Sequence, residues 1–198
     1  WELQKQEVVE TAQRMSEKGL VMGTSGNVSL RFKDSDGKDV VAITPSGLRY
    51  DIMKPDDIVI VDLEGQRIEG DLAPSIETML HTGIYKLRKK VNAVIHTHPV
   101  YGSVIAVAGL EIPAILDDQV TQIGGEIRVA KYALSGSPEI VRNVIAALES
   151  RNAALLANHG AIALGRNTWE AFTMCQLLEK TAQVYLMALG LGRPNLLP

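Results

Sequence analysis

The chain has 198 residues, of which 46% are hydrophobic and 22% charged, enough apolar side chain for a sizeable core and far from a disordered composition. Its 20 basic and 23 acidic residues leave a net charge of −3, which gives no reason to expect nucleic acid or an anionic membrane as partner. A single cysteine, Cys175, excludes an internal disulfide framework and any multi-cysteine metal site, and fits a reducing compartment.

In chain order, residues 2–18 read as a helix, with Val8, Ala12 and Met15 at helical spacing and Gly19 as its C-terminal cap. The opening Trp1-Glu2-Leu3-Gln4-Lys5 lacks the apolar run of a leader peptide. A loop of small polar residues follows, Met22-Gly23-Thr24-Ser25-Gly26-Asn27. Residues 28–32 alternate as a strand, 34–38 turn, and 40–43 return. A second polar loop is Thr44-Pro45-Ser46-Gly47, and a further strand is expected over 58–62.

Beyond Pro74-Ser75 a helix is expected over 76–89, then a buried strand over 91–98 stopped by Pro99, then a short apolar helix over 100–108. Ser137 and Pro138 have the residue types of an N-cap and a first helical position, opening a helix to about Arg151. Residues 153–157 and 161–164 are buried strands around His159-Gly160, and Asn167-Thr168-Trp169-Glu170 resembles a capping box before a long helix. The apolar stretch over 172–191 carries Gln176, Glu179, Lys180 and Gln183, too polar to span a bilayer. With no linker or repeat, residues 1–198 are expected to form a single α/β domain with a mainly antiparallel sheet, in a soluble, cytoplasmic protein.

The four histidines carry the functional argument. His96 and His98 stand two apart at the end of an apolar strand, so both imidazoles point to one face, roughly 7 Å apart. Two neighbouring buried imidazoles without a shared partner are unfavourable, because neither easily takes a charge. His159 also sits just past an apolar strand. Three imidazoles with an open fourth position make a catalytic zinc arrangement. The competing reading is three separately satisfied histidines.

Glu77 opens a helix, where an acid complements the helix dipole or serves as metal ligand or general base. His81, four residues on, shares its face and reads either as a fourth imidazole or as a helix-surface hydrogen-bonding group. The two glycine-bearing loops, with Ser75, offer backbone N–H and hydroxyl donors to a phosphate or carboxylate. No Walker lysine and no GxGxxG after a strand is present, so nucleotide binding has no support.

These residues, taken in order, resemble the class II aldolase/adducin family, of which L-fuculose-1-phosphate aldolase is a representative type. The segments that carry the resemblance are residues 23–29, Ile43-Thr44-Pro45-Ser46-Gly47, Pro74-Ser75-Ile76-Glu77, residues 94–99, Ile112-Pro113-Ala114 and Asn158-His159-Gly160. The resemblance implies a three-layer fold: a central, mainly antiparallel nine-stranded sheet flanked by helices, assembled as a homotetramer. It implies a zinc ion, or another divalent metal such as Mn2+ or Co2+, held by His96, His98, His159 and Glu77. Glu77 would double as the catalytic acid/base, and Gly26, Asn27, Ser46, Gly47 and Ser75 would bind the substrate phosphate.

The implied reaction is cleavage of a small phosphorylated ketose, such as L-fuculose 1-phosphate, into dihydroxyacetone phosphate and an aldehyde through a metal-stabilised enediolate. Ile76 stands where fuculose-phosphate aldolases tend to carry a second serine. Residues 116–119 hold no tyrosine, leaving Asp117 as a candidate proton donor for the aldehyde half. The same site suits a methylthioribulose-1-phosphate dehydratase, a sugar-acid phosphate decarboxylase or a pentulose-5-phosphate 4-epimerase. From another class comes a non-catalytic adducin-like interaction domain, against which stand the three retained histidines.

Overall fold

Apolar side chains alternate along the central strands, and that alternation sorts them into two cores. The computed structural model describes residues 1–198. Its strands are β1 (Asn27–Lys33), β2 (Asp39–Ile43), β3 (Val59–Asp62), β4 (Arg67–Glu69), β5 (Ala93–Thr97), β6 (Val129–Ala130), β7 (Ala153–Leu156) and β8 (Gly160–Gly165). They form one sheet in the order β4-β3-β2-β1-β5-β8-β7-β6. Every pairing is antiparallel except β6 with β7.

The helices are α1 (Glu2–Glu17), α2 (Thr78–Leu87), α3 (Val100–Ala108), α4 (Pro138–Leu148) and α5 (Thr168–Leu191). On one face, Val8 and Met15 of α1, Ile105 of α3 and Leu178 of α5 pack with Ile60, Ile95 and Leu155 of the sheet. On the other, Leu80 and Ile84 of α2 and Ile140 and Val144 of α4 pack with Val61, Val94 and Ile162. Each such side chain contributes roughly 1.5–3 kcal/mol by leaving water. The result is the expected three-layer α/β arrangement, with helices on both sides of a mostly antiparallel sheet.

Period two then assigns the polar residues on β1 and β5. Asn27, Ser29 and Arg31 alternate with Val28 and Leu30, so they face the α2 side. His96 follows Val94 onto that same side. The β1–β5 register sets Asn27 beside His96, and the β5–β8 register sets Thr97 beside Ala161. One end of the sheet thereby collects the chemistry.

Several details differ from the sequence reading. The sheet has eight strands, not nine. Ile112 and Ile127 exchange backbone hydrogen bonds of 3.0 and 2.8 Å as an isolated bridge. Pro113 lacks the N–H that would extend it. Strand β4 was not expected because its three residues are all exposed and show no apolar alternation. Helix α2 begins at Thr78, two residues later than expected, because Ser75–Glu77 form a turn instead. Ser137 caps α4 as expected, its hydroxyl accepting from Ile140 N. The box at α5 is half made: Asn167 accepts from Glu170 N, while the Glu170 carboxylate accepts from Arg166 N. No helix is long and apolar enough to cross a membrane.

Candidate metal and substrate site

His96 lies in β5, His98 one residue past its end, and His159 in the turn between β7 and β8. That turn needs a left-handed residue, supplied by Asn158 at φ 55°. The three rings stand edge to face with centroids 4.6, 4.7 and 5.0 Å apart. Their ligating nitrogens lie within 4.8 Å of one another. A tetrahedral ion with metal–nitrogen bonds of about 2.0 Å requires such nitrogens about 3.3 Å apart, so the cluster is of the right size.

The protonation states also suit a cation. His96 Nδ1 lies 2.9 Å from the Ala161 carbonyl, so it carries the ring proton and Nε2 turns a lone pair inward. Burial first, then its histidine neighbours, pushes the His98 pKa down to about 4, and burial lowers that of His159. His98 Nε2 and His96 Nε2 stand only 2.8 Å apart.

Glu77 lies beside the cluster. As the residue preceding α2 it escapes the helix surface, and its side chain is turned inward and only 3% exposed. Its Oε2 lies 3.2 Å from His96 Nε2 and its Oε1 3.6 Å from His159 Nε2. Asn27 Nδ2 donates to Oε2 at 2.8 Å, whereas Oε1 has no hydrogen-bond partner. Burial raises the Glu77 pKa, but His96, the Asn27 amide and His159 more than offset it and hold it below the usual glutamate value. A buried carboxylate beside two imidazoles of a three-histidine cluster is electrostatically incomplete, and a divalent cation fits both donor types.

The surrounding cleft has a volume of about 330 Å³ and is lined by Gly26, Asn27, Ser46, Gly47, Ser75, Glu77 and the three histidines, among others. All the site residues expected from sequence thus lie together, and no lysine or arginine lines the cleft. Ser75 Oγ accepts from Glu77 N at 3.2 Å, leaving its own proton free to donate. Asp117 is exposed and outside these walls.

His81 is neither a metal-cluster member nor a surface group. It is fully buried, its Nδ1 2.7 Å from Ser29 Oγ, and burial drives its pKa down to about 3.

Residues 6–186 match the model described as the class II aldolase and adducin N-terminal domain. The chain belongs to that family. It is 39% identical to the 5-deoxy-D-ribulose 1-phosphate aldolase of Bacillus thuringiensis, over 98% of this chain and 90% of that protein. It is 38% identical to a 5-methylthioribulose-1-phosphate/5-deoxyribulose-1-phosphate aldolase of Rhodospirillum rubrum, over 96% and 84%. A solved L-fuculose 1-phosphate aldolase superposes with a TM-score of 0.92 at 36% identity, covering 98% of this chain and 90% of that one.

Within this class II aldolase fold, three contributors escaped the sequence reading. Tyr50 donates its hydroxyl to the carbonyls of Gly26 (2.7 Å) and Ser25 (3.0 Å), tying the first polar loop to the body. Ser135 Oγ reaches His159 Nε2 at 3.5 Å. Gly160 is required by space: a Cβ there would meet Thr97 O at 2.3 Å, His98 Cδ2 at 2.9 Å and His96 Cε1 at 3.2 Å. Only the closeness of His159-Gly160 hinted at this last role. Gly160→Ala is therefore expected to push the His159 turn off β5 and weaken zinc binding by about 10–100-fold, the scale of outer-shell damage at metal sites. Zinc titration against a competing chelator checks this. Wild-type affinity in the variant would mean that the two segments tolerate separation.

Proposed function

We propose that this chain is a zinc-dependent class II aldolase that splits a small ketose 1-phosphate into dihydroxyacetone phosphate and an aldehyde. The observation that carries the reading is the meeting of His96, His98, His159 and buried Glu77 in one cleft with two glycine-bearing loops. The expected setting is a cytoplasmic homotetramer. The relatives' substrates make a 5-deoxypentulose 1-phosphate the first compound to test and L-fuculose 1-phosphate the second.

The bond changes define what the residues must do. The C4 hydroxyl loses its proton to solvent water, C4 becomes the aldehyde carbonyl, and the C3–C4 electron pair passes to C3. A proton then reaches C3 and gives dihydroxyacetone phosphate. His96, His98 and His159 would hold a divalent ion, which would supply Lewis-acid polarisation of the substrate when bound. In the cleavage direction Glu77 would first take up a proton and then deliver it to C3; in the reverse direction its carboxylate, held below the usual glutamate pKa, would accept that proton. Asn27 orients Glu77 through the 2.8 Å hydrogen bond. Gly26, Ser46, Gly47 and the free Ser75 proton hold the phosphate with neutral donors at the N-terminal end of α2.

The test is proton exchange. Zinc-loaded protein in deuterated water is expected to replace one hydroxymethyl proton of dihydroxyacetone phosphate stereospecifically, as followed by NMR. With 5-deoxyribulose 1-phosphate the two-carbon product is acetaldehyde, detectable with a coupled dehydrogenase. Absence of both signals would overturn the aldolase reading in favour of dehydration, decarboxylation or epimerisation at the same site.

A further inference from the structure

We infer that His81 is a positioning residue for Glu77, its Nε2–H being the buried donor against which the carboxylate rests when turned away from the histidine triad to work as acid/base. This rests on the aldolase reading.

Strand β1 and helix α2 meet through two parallel rungs. Asn27 and Ser29 are two apart on one face of β1, and Glu77 and His81 are four apart on one face of the helical segment. Asn27 Nδ2 bonds Glu77 Oε2 at 2.8 Å, and Ser29 Oγ meets His81 Nδ1 at 2.7 Å. Behind Ser29 the chain of contacts continues. Tyr85 OH lies 2.7 Å from Ser29 Oγ, and Arg31 stacks on the Tyr85 ring at 5.3 Å while donating to the Tyr85 carbonyl at 3.0 Å. His81 is therefore held from behind by groups that reach no substrate.

Its other nitrogen is the anomaly. Four buried side-chain polar atoms lack a partner: Asn27 Oδ1, Glu77 Oε1, His81 Nε2 and the distant Arg151 Nε. The first two are acceptors, and the two rungs, with the helical bond from His81 N to the Glu77 carbonyl at 3.3 Å, bring the Glu77 and His81 side chains to one stretch of the β1–α2 seam. Turned toward such acceptors, a lone pair on Nε2 would be repelled, whereas an N–H would be attracted. The Nε2–H tautomer follows, with Ser29 donating to Nδ1. Glu77 Oε1 and His81 Nε2 are then an unpaired acceptor and an unpaired donor one helical turn apart. They pair when the Glu77 side chain swings back from the triad.

The experiment uses zinc-loaded protein labelled with 15N-histidine, together with His81→Leu, His81→Gln and Ser29→Ala. Wild-type His81 is expected as the neutral Nε2–H tautomer, and Ser29→Ala should mix the two tautomers. His81→Leu should keep its zinc and its KM for dihydroxyacetone phosphate while the proton-exchange kcat falls about 10–100-fold, the usual scale for outer-shell partners. His81→Gln, whose amide N–H reaches toward the Nε2 position, should recover most of that rate. An Nδ1–H tautomer in the wild type would overturn the assignment, and this measurement needs no variant to fold. So would undiminished exchange in His81→Leu, or no recovery in a folded, zinc-containing His81→Gln. Absence of exchange in the wild type would overturn the aldolase reading itself, and with it the role given to His81.

Discussion

His159→Ala and His96→Ala are each expected to lose zinc and, with it, cleavage. Even an outer-shell partner is worth about 10–100-fold in metal affinity, so removing a direct ligand should cost at least about 100-fold. A metal acting as Lewis acid supplies several kcal/mol to the transition state, and about 4 kcal/mol corresponds to about 10³-fold in kcat/KM. His159 gives the cleaner experiment. Its side chain is 17% exposed and lies in a turn, against 1% for His96 within the sheet. His159→Ala should therefore keep its fold in circular dichroism, whereas His96→Ala also opens a cavity. Chelator treatment of the wild type should reproduce the loss, and Zn2+, Mn2+ or Co2+ should restore it. Zinc held by the assembled site should raise the wild-type melting temperature by favouring the folded state, and should do so far less in the variants. One equivalent of zinc retained by both variants would remove the three histidines from consideration as the metal site.

Glu77→Gln separates metal binding from proton transfer. The amide is nearly isosteric, and its carbonyl oxygen can still accept from Asn27 Nδ2. The negative charge and the exchangeable proton are gone. General acid–base groups contribute about 10²–10⁴-fold, so proton exchange on dihydroxyacetone phosphate should fall within that range. The three imidazoles should still hold zinc, more weakly for want of the fourth donor. Zinc content and exchange rate measured on one preparation check both halves. Exchange within a few fold of wild type in the zinc-containing variant would assign the proton to another group.

The legible part of the site was local. His96 and His98, two apart at the end of an apolar strand, show their common direction through period two, and His159 past a second apolar strand is a candidate to join them. Glycines and hydroxyls in the 24–27 and 44–47 loops likewise announce exposed backbone donors. Ser137 and Asn167 marked helix starts because capping involves neighbours within three or four residues. Strand β4 and the two-residue β6 gave no such signal, since their pairing partners, not their own patterns, make them strands.

The meaning of several residues depended on distant partners. Asn27, expected to bind phosphate, lines the cleft and also donates its amide to Glu77, fifty positions away. Tyr50, Gly160 and buried His81 have no local pattern that separates them from other residues of their type.

The sequence by itself determined a mixed α/β domain with a mainly antiparallel sheet, the shared direction of His96 and His98 and the glycine-bearing loops, because these follow from periodicity and residue chemistry within a few positions; the layered fold and the full ligand set came from the ordered motifs that resemble the family. Only the tertiary structure decided that β1 would pair with β5 in the register that sets Asn27 beside His96. It also decided that α2 would lie over that face with Glu77 turned inward, and that Gly160 would have no room for a side chain. Register and helix placement are chosen by the burial of two whole cores at once, and no short stretch of chain contains that information.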